Sequence, residues 1–141
     1  MIPVRPLTPD AFAPFGDVIA VDGAPDMIIN QGKCGRFHDR ATLAFDDARA
    51  GVSLFKAECR ALPYELDLLE RHPLGSQCFI PMTDDPFLVI VAADNDGIPA
   101  IPVAFITDGT QAINFRKNTW HGVLSPLSGS CLLYTSDAAD E

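Results

Sequence analysis

The sequence predicts an all-β fold, an antiparallel sandwich or barrel preceded by one short helix. Three observations carry that prediction. Short stretches rich in Val, Ile, Leu and Phe recur along the chain, several with alternating apolar positions. Turn signals such as HPLGS (72–76), DNDG (94–97) and TDGT (107–110) separate them closely. Beyond the N-terminal segment no apolar period of 3.6 residues persists, except for a short candidate at FDDARAG (45–51). Many short strands with close turns mean a sandwich or a barrel.

The elements follow in order. LTPDAFAPFGD (7–17) reads as a helix of about two turns: Thr8 is a good N-cap, Pro9 suits the first helical position, Pro14 limits the length and Gly16 can close the end. DVIAV (17–21) is short and β-branched. GVSLFKAECR (51–60) and YELDLLERH (64–72) alternate, the latter through Tyr64, Leu66 and Leu68. SQCFIPM (76–82), FLVIVAAD (87–94) and PVAFITD (102–108) continue the series, and AINF (112–115) and GVLSPL (122–127) close it.

The chain has 141 residues, 48% hydrophobic and 21% charged, enough for one globular domain with its own core. No apolar run approaches the roughly eighteen residues of a membrane span, and MIPVRPLTPD lacks the apolar stretch of a secretory signal, so a cytoplasmic protein is expected, with no membrane partner. A formal charge of −9 with scattered Lys and Arg argues against nucleic acid and for a small-molecule ligand. Cys34, Cys59, Cys78 and Cys131 show no C-x-x-C spacing and are expected to be buried, reduced thiols. The terminal CLLYTSDAADE (131–141) is read as non-native, because the codons that would encode it resemble a transposon adapter used in preparing sequencing libraries. The native domain is accordingly placed at residues 1–130, with a truncated C-terminus and a non-native tail at 131–141.

Three polar clusters interrupt the apolar text. In LERHPLGSQCFIPM (69–82), an acid (Glu70), an imidazole (His72) and an amide (Gln77) fall within eight positions. If YELDLLERH and SQCFIPM are neighbouring strands joined at PLG, alternation puts Glu70 and His72 on one face and lets Gln77 aim at the same space. Buried there, the three need partners: one another, water, a ligand or a metal. NFRKNTWHGV (114–123) adds His121, which a closing sheet can bring against His72. Two imidazoles with a carboxylate and an amide suit a divalent transition metal. Either histidine alone is more often a hydrogen-bonded structural residue. The third cluster, INQGKCGRFHD (29–39), sets Asn30, Arg36, His38 and Asp39 in a Gly-punctuated loop. Arg36 could hold a carboxylate by a two-pronged contact; an ordinary surface hairpin with a salt bridge is the alternative.

Together NQGKCGRFHD, ERHPLGSQCFIPM, VAFITDGTQAINF and NTWHGVLSP resemble, in order and spacing over about residues 2–130, the ureidoglycolate lyases, formerly called ureidoglycolate hydrolases. The resemblance implies a cupin-like double-stranded β-barrel (jelly roll), a homodimer, and cleavage of (S)-ureidoglycolate to glyoxylate and urea in allantoin breakdown; some members are described as nickel-dependent. Set on the wider cupin pattern of a His-x-His pair, a Glu and a distant His, Glu70 stands at the first position, His72 at the second, Gln77 at the third and His121 at the last. Two of the four ligands are thus replaced, which leaves open a metal-free site working by hydrogen bonds. Family members also continue for about thirty residues, through a strand with an Asp-Arg pair. The resemblance implies His72, His121, Glu70 and His38 as acid–base candidates. Asn30, Arg36, Gln77, Arg71 and Arg116 become substrate-binding candidates, and His72, Gln77, His121 and Glu70 metal ligands, nickel first. A non-catalytic module binding a small carboxylate, or another metal-dependent cupin enzyme, is the rival reading.

Overall fold

The computed structural model describes residues 1–123 and 125–127, and the backbone of 131–138. The strands, in chain order, are β1 (Val4–Pro6), β2 (Gly16–Ile19), β3 (Met27–Ile29), β4 (Cys34–Arg36), β5 (Ala50–Ala57), β6 (Gln77–Pro81), β7 (Phe87–Ala92), β8 (Asp94–Asn95), β9 (Ile98–Pro99), β10 (Val103–Ile106), β11 (Ala112–Phe115), β12 (Trp120–His121), β13 (Ser125–Pro126) and β14 (Cys131–Ala138). One helix, α1 (Pro9–Phe12), sits between β1 and β2. It forms where the sequence places it: the Thr8 hydroxyl accepts from Ala11 N at 3.3 Å, and Pro9 occupies the first turn, where its missing N–H costs nothing. It is shorter than expected, and Gly16 opens β2 instead of capping the helix.

Two five-stranded sheets make the all-β, cupin-like framework. One runs β1-β10-β7-β12, with β13 also on β7; the other runs β2-β11-β6-β14-β5. The first is antiparallel except for the parallel β1–β10 pair, and β12 and β13 lie in succession along one edge of β7. Alternation along β7 sorts its side chains. Phe87, Val89 and Val91 join Phe12, Phe79, Phe105, Ile113 and Phe115 in the main core. Leu88 and Ile90 face the other way and are covered by Tyr64, Leu66, Leu69 and Leu127.

That second layer corrects one expectation. YELDLLERH is not a strand, and it does not pair with SQCFIPM; it lies across the outer face of β7 and β10, with a single bridge at Glu70. Its alternating Tyr64 and Leu66 report burial on one side, which a chain laid over a sheet needs as much as a strand does. FDDARAG is not helical either: Phe45 bridges to Gly75, and Ser76 binds Ala44 by both its amide and its hydroxyl. Three strand pairs were not anticipated: β1 on β10, the β3–β4 hairpin and the β8–β9 hairpin around DNDG. Cys34, Cys59 and Cys78 are free thiols, but only Cys78 is buried; Cys59 is exposed. The side chain of Cys131 lies outside the described residues. Residues 131–138 pair by backbone with both β5 and β6.

Gly16 is fixed by close approach. A Cβ there would lie 1.8 Å from the carbonyl oxygen of Asn114 on β11. Gly16→Ala must therefore push β2 off β11 and is expected to cost at least about 2 kcal/mol in guanidinium unfolding. Gly23→Ala, where a left-handed φ of 69° is the only obstacle, should cost about 1 kcal/mol. Equal costs for the two variants would contradict the packing account.

Candidate active site

The site is built where the first sheet runs out. After covering β7, the chain turns in at Glu70 and becomes one more antiparallel partner of β12: Glu70 N donates to His121 O at 2.9 Å and His121 N to Glu70 O at 2.8 Å. Asn118 N donates to His72 O at 3.1 Å, so the pairing extends past the next residues. The chain then crosses to the second sheet, where Gln77 opens β6 opposite Phe115 of β11. Glu70, His121 and Gln77 line one cavity of about 230 Å³, with walls that include Phe55, Phe79 and Ile113. Expected convergence is met by a different route: two strand edges approach from different sheets, not the arms of one hairpin.

His121 is the buried member, only 2% exposed. Its ring stacks on Phe115, centroids 4.4 Å apart and planes 5° apart, and lies 5.3 Å from the near-parallel His72 ring. Nδ1 is 3.0 Å from Gly122 O; since a carbonyl only accepts, Nδ1 carries the proton. Nε2 is left with its lone pair, buried and without a hydrogen-bond partner among the described residues. Burial pushes the imidazole pKa down to about 4, aided by the nearby His72; the Gly122 contact opposes this. The Glu70 carboxylate, 4.0 Å from Nδ1 and half exposed, is too distant and too solvated to reverse the effect. One donor atom each from Glu70, His72 and His121 lies within 4.8 Å of the others, so these three could hold a metal ion. A ring nitrogen donating to a carbonyl while the other keeps a free lone pair is the arrangement a metal-binding histidine takes.

The other candidates are placed elsewhere. Arg71, between Glu70 and His72, points away by alternation: its guanidinium binds Asp94 at 2.9 Å and lies over the Trp120 ring at 5.0 Å. Arg116 donates to Ala13 O at 2.9 Å, tying β11 to the end of α1. Asn30, Arg36 and His38 are exposed on or beside the β3–β4 hairpin, where His38 N donates to Asp26, itself paired with Arg40. None of these five lines the cavity. Asp94, the partner of Arg71, carried no expectation because DNDG reads only as a turn.

A small β-barrel whose interior cavity carries a carboxylate, an imidazole and an amide on otherwise apolar walls, with a second imidazole stacked behind the first, is the framework of a cupin-like enzyme for a small polar substrate. A family model described as Ureidoglycolate lyase matches residues 1–140. Similar proteins include a ureidoglycolate lyase of Rhodobacter capsulatus, 58% identical over 125 residues that make up 88% of this chain and 78% of that protein. Ureidoglycolate lyase 2 of Rhizobium meliloti is 52% identical over 128 residues, 89% of this chain and 78% of that protein. A ureidoglycolate lyase of Chelativorans sp. is 51% identical over 125 residues, 87% and 76%. The chain belongs to the ureidoglycolate lyase family. No helix among the described residues is long and apolar enough to cross a membrane.

The buried imidazole has a consequence for stability. Its pKa of about 4 lies below the ordinary 6.5, so the unfolded chain takes up the proton first as pH falls. The contribution of neutral His121 is intact above pH 6.5 and is lost between there and pH 4, about 3 kcal/mol in all. Guanidinium unfolding across this range should show the slope, and His121→Phe should flatten it; an unchanged slope in that variant would assign the proton elsewhere.

Proposed function

We propose that this protein cleaves ureidoglycolate to glyoxylate and urea, with Glu70, His72, His121 and Gln77 as its working residues. The observation that carries the reading is the buried, unpartnered Nε2 of His121 beside His72 and Glu70 in an apolar-walled cavity. The substrate carbon bears a hydroxyl, a carboxylate and a ureido group. Elimination moves one proton from the hydroxyl oxygen to the ureido nitrogen as the C–N bond breaks and the C=O bond forms.

No Lys or Arg lines the cavity among the described residues, so the anionic carboxylate has no fixed cation to meet. A divalent metal, nickel by family resemblance, would be held by the imidazoles of His72 and His121 with an oxygen of Glu70 or Gln77, and would supply charge for the substrate's hydroxyl and carboxylate. Glu70 has two carboxylate oxygens. One could serve an ion, and the other takes the hydroxyl proton and returns it to the leaving nitrogen. Gln77 donates its amide N–H to a substrate oxygen, and the aromatic walls keep out water that would divert the reaction. In the metal-free reading, the lone pair of His121 Nε2 accepts the hydroxyl proton instead and returns it to the leaving ureido nitrogen.

His121→Ala should lower glyoxylate release by at least about a thousandfold in either reading, with the fold retained by circular dichroism. Glu70→Gln should lower kcat about a hundredfold yet still bind metal in equilibrium dialysis. A chelator that leaves wild-type turnover intact selects the metal-free reading. Ammonia in place of urea rejects the lyase.

A homodimer is supported by the exposed apolar Val52 and Leu54 on β5 and Ile80 on β6, which a second copy could cover. A non-native origin of residues 131–141 rests on the match of this amino-acid string to what a translated sequencing adapter would give. Backbone pairing with β5 and β6 asks little of sequence, and Cys131–Ala138 contains no proline.

A further inference from the structure

We propose that Asp94, with Arg71 and Trp120, forms a positioning clasp behind the active site that holds Glu70 and His72 in register with His121. The inference rests on the assignment of those three residues to the site. The two donors of the clasp are chain neighbours of site residues: Arg71 lies between Glu70 and His72, and Trp120 immediately precedes His121. Side chains alternate along paired chains, so what projects into the cavity from one residue is anchored on the opposite side by the next.

On that opposite side one carboxylate oxygen joins both chains. Asp94 Oδ1 accepts from Arg71 at 2.9 Å and from the Trp120 indole N–H at 2.8 Å. Its Oδ2 accepts from Gly97 N at 3.3 Å, which fixes the carboxylate on the β8–β9 turn. The guanidinium lies over the indole ring at 5.0 Å, so the two donors also touch each other. Arg71 and Asp94 side chains are about a third exposed, so the ion pair taken alone contributes little. Its geometry is what matters. The pairing it backs has two backbone hydrogen bonds between Glu70 and His121 and one from Asn118 to His72 at the open edge of a sheet, and 64–69 has no ladder of its own to hold register. A slip by one residue there would swap Glu70 for Arg71 at the cavity.

The test uses the full chain with Asp94→Ala, Asp94→Asn and Trp120→Phe, followed by four measurements. These are the imidazole resonances of His72 and His121 by nitrogen-edited NMR without metal, the affinity for cobalt(II) alone by its visible absorption, kcat and KM for glyoxylate release, and the guanidinium midpoint. Asp94→Ala is expected to shift both imidazole signals, weaken cobalt binding about tenfold to a hundredfold and lower kcat by a similar factor. KM should move less. Asp94→Asn, which keeps an acceptor oxygen, should recover most of the loss, and Trp120→Phe should fall between.

A lowered midpoint with unmoved imidazole signals and unchanged kcat per folded molecule would reduce the clasp to a stabilising contact and overturn the proposal. Failure of Asp94→Asn to recover more than Asp94→Ala would overturn it as well. If the wild type releases no glyoxylate, the lyase reading fails by itself, and the imidazole signals still decide the clasp.

Discussion

Two backbone hydrogen bonds between Glu70 and His121 are the constraint from which the site follows. Without them the stretch after Leu69 has no strand partner, and the side chains of 70 and 72 have no defined direction. With them, the alternation that places Glu70 toward the interior also places Arg71 outward and His72 inward again. The same two bonds hold His121 at the sheet margin, where one face of its ring rests on Phe115 and the other meets His72. Sheet edges ordinarily waste their backbone donors and acceptors. Here the edge becomes the place where two distant parts of the chain are brought within reach.

Burial then sets the chemistry. An imidazole 2% exposed against a phenyl ring is held neutral, and its one proton is committed to Gly122 O. What remains is a lone pair in a low-dielectric pocket, a weak base that can still be offered to an ion or a hydrogen-bond donor. His72 and Glu70 are more accessible, so the cluster grades from a dry interior to a solvated mouth. Such a gradient suits an elimination, in which a proton is moved within the substrate and no water is incorporated.

The sequence made the framework legible where local chemistry and burial agree: Thr8 and Pro9 at α1, the inward residues of β7, β10 and β11, and the polar interruptions at 70, 72, 77 and 121. It misled where burial arises without the element it usually signals. Tyr64 and Leu66 alternate because they cover Leu88 and Ile90, not because they sit in a ladder. Arg71 was taken with its neighbours as a substrate ligand, although the alternation that recommends Glu70 and His72 turns Arg71 the other way. Asp94 carried no signal, since its partners lie 23 and 26 residues away.

Gln77 is the residue that most departs from the wider cupin pattern, which has a carboxylate there, and charge explains why an amide can serve. The cavity already receives Glu70 and, in the proposed reading, an anionic substrate, with no Lys or Arg on its walls among the described residues. A second carboxylate at position 77, itself only 6% exposed, would leave the site net negative even with a divalent ion present. In surroundings this apolar, an unbalanced charge is costly enough to force protonation or expel the substrate. An amide contributes an oxygen donor and an N–H donor without that charge. The amide at 77 is thus matched to a cavity with no Lys or Arg on its walls among the described residues.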